Sequence, residues 1–194
     1  MRPSRRTIVA AALAITVLQL SAARPRSSSQ RSTVVLLVRH GEKAATGGND
    51  PALSAAGEAR AKALADALAD ANVDAIITTP LQRTRATAAP LAARRRITPI
   101  EIGLGGGTAA HAAAVADAIR QRFREQTVLV VGHANTLAPI IAALGGPKLA
   151  DLCDDQYSTL YTLILPPSGS PKLIRSTYGA ADPAPANDCA RMMR

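Results

Sequence analysis

The chain has 194 residues, 47% of them hydrophobic but only 2% aromatic, with a formal net charge of +9. That length allows one domain with a sizeable core and hardly two, and that hydrophobic content excludes disorder over most of it. With one Phe and no Trp, a stacking platform for single-stranded nucleic acid is excluded.

Part of the charge is concentrated at the start. Arg2, Arg5 and Arg6 precede an apolar run from Ile8 to Leu20, and Ser21-Ala22-Ala23 follows. A charged stretch, a short apolar stretch and small residues are the layout of a secretory signal peptide. The run is short for a membrane span and carries Thr16 and Gln19, although an uncleaved anchor is the alternative. Residues 1–23 are therefore expected to be removed, leaving a periplasmic or secreted protein with no membrane attachment. Residues 24–32, rich in Ser and Arg, are expected to be a flexible leader, and 33–179 the folded domain. Residues 180–194 read as a poorly ordered tail. In an oxidising compartment Cys153 and Cys189 are positioned to form one disulfide; two unpaired thiols are the other reading.

Within the domain, short apolar runs alternate with helical patterns. Val34 to Val38 is an unbroken apolar run of strand length, as in a strand covered on both faces. Ser54 then caps a helix whose apolar positions Ala61, Leu64, Ala65 and Leu68 recur at helical spacing. A strand over 74–78, a helix over 81–93, a strand over 97–102 and a helix over 108–124 follow. The pattern ends with a strand over 128–131, a helix over 136–144, and two strands, 159–165 and 172–177, joined by Pro166-Pro167-Ser168-Gly169. Such alternation predicts an α/β fold, a three-layer α/β/α sandwich with a mostly parallel sheet and a final antiparallel pair. Ligands in such sheets collect at the carboxyl ends of the strands.

Two of the three histidines stand just past the most apolar strands: His40 after Val35-Leu36-Leu37-Val38-Arg39, and His133 after Val128-Leu129-Val130-Val131-Gly132. Arg39 lies beside the first, and Arg83 follows the strand over 74–78. Two imidazoles and two guanidinium forks at one rim suit a phosphoryl group. An imidazole flanked by fixed positive charge stays neutral and nucleophilic. Lys43, Asn135 and Thr136 are candidate substrate contacts beside this rim, with a solvated loop lysine and a helix N-terminus as the plainer readings. His111, among alanines on a helix, reads as a surface residue. Gly105-Gly106-Gly107 lacks the Gly-Lys-Ser/Thr of a nucleotide-binding loop, and no Cys/His spacing marks a metal site.

Arg39-His40-Gly41-Glu42 resembles the signature of the histidine phosphatase superfamily, the branch that includes phosphoglycerate mutases. Three further segments are similar to its motifs in the family's order: Leu53-Ser54-Ala55-Ala56-Gly57-Glu58-Ala59-Arg60-Ala61, Thr79-Pro80-Leu81-Gln82-Arg83-Thr84-Arg85-Ala86-Thr87-Ala88, and Val131-Gly132-His133-Ala134-Asn135-Thr136. The resemblance implies a phosphoglycerate mutase-like fold. It further implies a phosphorylated nucleophile at His40, and a phosphate pocket completed by Arg39, Arg83 and His133. The expected activity is metal-independent, cofactor-free hydrolysis of a small phosphorylated substrate. A phosphoglycerate-type mutase and a non-catalytic phospho-ligand binding module are the alternatives. The family often places a general acid between the pocket arginine and the second histidine; Glu101, at a strand end, is the candidate here.

Overall fold

The computed structural model describes residues 31–184. The signal-peptide reading, most of the leader and Cys189 lie outside the described residues. Ten elements follow in chain order: β1 (Thr33–Arg39), α1 (Ala55–Ala67), β2 (Ala75–Thr78), α2 (Gln82–Arg95), β3 (Ile100–Glu101), α3 (Gly107–Arg122), β4 (Thr127–Gly132), α4 (Leu137–Ala143), β5 (Thr159–Leu165) and β6 (Lys172–Thr177).

The six strands form one sheet in the order β3-β2-β4-β1-β5-β6. The pairs from β3 to β1 are parallel, whereas β5 and β6 run antiparallel to their neighbours. Side chains of a strand alternate between the two faces of a sheet. Val35 and Leu37 therefore enter the core under α3 and α4, with Val115, Ile119, Ile140 and Ile141. Leu36 and Val38 enter the opposite core under α1 and α2, with Leu64 and Leu91. Two covered faces explain why β1 is an unbroken apolar run. The fold is a phosphoglycerate mutase-like three-layer α/β domain.

Ser54 caps α1 as its sequence implies, its hydroxyl accepting from the Gly57 N–H at 3.2 Å. This first turn packs directly on the loop after β1. A Cβ at Gly57 would lie 2.3 Å from the Glu42 carbonyl oxygen, so only glycine permits the approach. The loop is held from the other side by Thr87 of α2, whose hydroxyl accepts from Gly41 N–H at 2.8 Å and donates to the Arg83 carbonyl at 2.7 Å.

The strand expected over 97–102 shrinks to Ile100–Glu101. Ile97 N–H instead closes the end of α2 on the Ala92 carbonyl, and Pro99 offers the sheet no N–H. The loose tail expected from residue 180 is also corrected for its first residues. The Asp182 carboxylate accepts from Tyr157 N–H and Ser158 N–H, each at 2.8 Å, and from the Ser158 hydroxyl at 2.7 Å. The Ala180 carbonyl accepts from Arg60 at 3.0 Å. Cys153 is disulfide-bonded; the other half of the expected bridge, Cys189, is outside the described residues.

Candidate active site

The carboxyl ends of β1 and β4 lie side by side, with Arg39 in register with Gly132 and His40 N–H donating to the Gly132 carbonyl at 3.0 Å. That pairing carries the two histidines to the same place. Their rings meet edge to face, with centroids 5.2 Å apart. Arg39, His40, Arg83, His133, Asn135 and Thr136 line one open cavity of about 550 Å³.

The proton positions at His40 follow from its partner. Nδ1 lies 2.7 Å from the Gly41 carbonyl oxygen. A carbonyl only accepts, so Nδ1 carries the hydrogen and Nε2 is left as a lone pair. No hydrogen bond engages that Nε2 among the described residues. Burial, opposed by the hydrogen bond to Gly41 and helped by the charges of Arg39, Arg83 and Lys43, brings the His40 pKa from 6.5 down to about 4. His133 is pushed to about 3, first by burial, then by His40, Arg83, His111 and Arg39. Both imidazoles are neutral at physiological pH.

The arginines are held by different neighbours. Arg39 is buried, and its Nη1 donates to the carbonyls of Cys153 at 2.7 Å, Asp154 at 3.0 Å and Gln156 at 3.2 Å. Its guanidinium also stacks 4.0 Å over the Tyr157 ring. The residue that resemblance assigns to phosphate thus also pins the loop over 153–157 to the end of β1. Arg83 pairs with Asp50 at 3.4 Å. On both arginines the buried Nε–H has no hydrogen-bond partner. Two orphaned charged donors at one rim match an anion's oxygens. Among the described residues no group of three or more His, Cys, Asp or Glu could hold a metal ion.

Three expectations need correction. Glu101 does not line this cavity; it lies in a separate hollow with Arg85 and Pro99, paired with Arg85 at 3.5 Å, and both side chains are about half exposed. The edge position of β3 and the Arg85 charge draw it outward. Lys43 is exposed on the loop, where it bridges to Leu53, and is not part of the cavity wall. His111 is buried, not superficial, with Nδ1 donating to the Gly103 carbonyl at 3.0 Å. Asn135 and Thr136 do reach the cavity, but the Thr136 hydroxyl turns back to the His133 backbone, accepting from its N–H at 2.8 Å.

Other lining groups carried no local signal. Asp151, Leu152 and Asp154 come from the segment between α4 and β5, Leu104 from the loop before α3, and Gly107 and Thr108 from the start of α3. Tyr157 stands beside the site, its ring 6.3 Å from that of His40. Glu42, quoted only as part of a motif, is held by Arg60 through Nε at 2.9 Å and Nη2 at 2.7 Å. Periodicity and spacing do not reveal these, because long-range chain returns bring them in.

Residues 35–103, which include His40, Arg39 and Arg83, match the model of the histidine phosphatase superfamily (branch 1). Over that stretch, about a third of the chain, the sequence is similar to this superfamily. His133 lies beyond the matched stretch, but β4 brings it to the same cavity. Solved phosphatases and a hydrolase share the fold. The protein histidine phosphatase SixA, complexed with tungstate, is 17% identical with a TM-score of 0.59, over 74% of this chain and 96% of that one. A mycobacterial glucosyl-3-phosphoglycerate phosphatase with inorganic phosphate is 19% identical with a TM-score of 0.54, over 76% and 97%. A mycobacterial hydrolase is 17% identical with a TM-score of 0.55, over 84% and 97%. No curated protein matches the sequence.

Proposed function

We propose that this chain is a member of the histidine phosphatase superfamily and a metal-independent phosphomonoester hydrolase that works through a phosphohistidine on His40. One observation carries the reading: the His40 Nδ1–H is committed to the Gly41 carbonyl, leaving Nε2 uncommitted in a cavity shared with His133, Arg39 and Arg83. A neutral imidazole with a fixed tautomer is a ready nucleophile.

In this reading Nε2 attacks phosphorus, the ester oxygen leaves with its electron pair and takes a proton from solvent, and a phosphohistidine forms. Water then attacks the same phosphorus, gives a proton back to solvent, and returns His40 with its lone pair. The orphaned Nε–H donors of Arg39 and Arg83 are suited to neutralise the equatorial oxygens in both steps. The proposed substrate is a small phosphorylated compound that fits a cavity of about 550 Å³. Between Arg83 and His133 the chain forms the rest of α2, then β3, α3 and β4, which leaves little length for a covering insert. That argues against a mutase, which must shield its phosphoenzyme from water. The amino-terminal segment adds export to the periplasm or the medium as part of the proposal.

Hydrolysis of an aryl phosphate in the presence of EDTA tests the activity. Wild type should turn over, and His40→Ala should lose at least about a thousandfold in kcat. Equal rates in the two proteins would remove His40 from the reaction. Fractionation of expressing cells, with the mass of the mature chain, tests export.

A further inference from the structure

Behind His133 lies a chain of two buried threonine hydroxyls. His133 Nε2 is 3.1 Å from Thr79 Oγ1, which is 3.0 Å from Thr84 Oγ1. Thr84 Oγ1 in turn lies 2.9 Å from the Thr79 carbonyl and 2.8 Å from the Leu81 carbonyl. Thr79 and Thr84 are 1% and 0% exposed, closed off from bulk solvent.

The direction of this chain can be counted. A hydroxyl has one hydrogen, and carbonyls only accept. Thr84 must spend its hydrogen on the carbonyl pair, or two close oxygen–oxygen contacts would have no hydrogen between them. Its oxygen therefore accepts from Thr79. Thr79, its own hydrogen spent, can only accept from His133. The hydrogen on neutral His133 is therefore on Nε2, and Nδ1, which has no hydrogen-bond partner among the described residues, is a lone pair.

A lone pair repels a phosphoryl oxygen. We propose that Thr84 and Thr79 act as positioning residues that lock His133 in the Nε2–H form, so that binding a phosphoryl dianion draws one proton from solvent onto His133 Nδ1. The inference deepens the phosphatase reading and rests on it. The step forms one N–H bond on His133 and breaks one bond to hydrogen in the hydronium or buffer acid that gives the proton, so the site gains one positive charge per dianion bound. The groups acting on that proton are His40 and Arg39 at the end of β1, Arg83 on α2 and His111 on α3; Asp151 and Asp154 line the same cavity. The first four disfavour the proton, which leaves His133 neutral until an anion arrives.

Long-range proton–nitrogen NMR of the 15N-labelled chain reads the tautomer directly, and with three histidines the signals are assigned by substituting His40 and His111. Wild-type His133 should show Nε2–H. Thr84→Val frees the Thr79 hydrogen to point at His133 and should convert it to Nδ1–H, whereas Thr84→Ser should keep Nε2–H. Titration with tungstate, a dianion at neutral pH, in buffers of different ionisation enthalpy should count about one proton taken up per anion at about pH 7.5. The count should fall at least twofold in Thr84→Val, whose neutral His133 already has a donor. Thr79→Val, which leaves Nε2 without an acceptor, gives a second variant for both readouts. Wild-type His133 in the Nδ1–H form, or tautomer and proton count unchanged in the variants, would overturn the inference. Failure of tungstate to bind would instead count against the phosphatase reading, and the tautomer measurement would still judge the hydroxyl chain.

Discussion

At the scale of single residues, the site is defined by which hydrogen-bonding atoms are occupied and which are left over. His40 Nδ1 is occupied, and the Nε–H groups of Arg39 and Arg83 are left over. Because burial holds the His40 pKa near 4, kcat/KM for an aryl phosphate should show no enzyme break near the ordinary 6.5. A pH–rate profile checks this, once the substrate's own second ionisation near about 6 is divided out; an enzyme break at ordinary histidine pH would contradict it. Glu101→Gln should change kcat by less than about twofold, because a half-exposed carboxylate paired with Arg85 outside the cavity has no proton to deliver there. A loss of a hundredfold would restore Glu101 as an acid. The failure of that expectation is instructive. Spacing places a carboxylate at a strand end but does not say which side of an edge strand it takes, and the Arg85 side chain decides that in three dimensions.

At the scale of elements, the loop after β1 is clamped between the first turn of α1 and the side of α2. Gly57→Ala would drive a Cβ into the Glu42 carbonyl, so a loss of roughly 1–3 kcal/mol of stability is expected in denaturant titration. Arg60→Ala should cost more, on the order of 3 kcal/mol. It strips the Glu42 carboxylate of its partner and releases the carbonyls of Tyr178 and Ala180. Hydrogen exchange should then rise over 178–182, where intact protection would contradict the tether. The alternating elements were legible because hydrophobic period and capping are local: the unbroken run of β1 and Ser54 before α1 needed no tertiary information. The loop over 150–157 was not legible. Its place over the site depends on Arg39 reaching three carbonyls far along the chain, and no window of sequence contains that contact. His111 was misjudged for a similar reason: alanine neighbours do not announce that Gly103 folds back to accept its Nδ1–H.

At the scale of the whole molecule, the fold holds two imidazoles neutral inside a cavity that two arginines line, and this ties stability to pH. Both folded-state pKa values are below 6.5, so below that pH the unfolded chain binds protons that the folded chain refuses. Stability should therefore be complete above about pH 6.5 and fall as pH drops towards 4, by an amount on the order of a few kcal/mol. Thermal unfolding across that range should show a shallower decline in His133→Gln than in wild type; parallel curves would mean that His133 is not the group responsible. In the proposed reading the same arrangement supplies the chemistry, because an imidazole kept unprotonated beside fixed cations can receive a phosphoryl group and give it up to water. The most direct test is rapid quenching of turnover with a phosphorus-labelled substrate, followed by peptide mapping. The account requires an acid-labile, alkali-stable label on the peptide containing His40, absent from His40→Ala; steady hydrolysis with no such label, or a label on another residue, would contradict it.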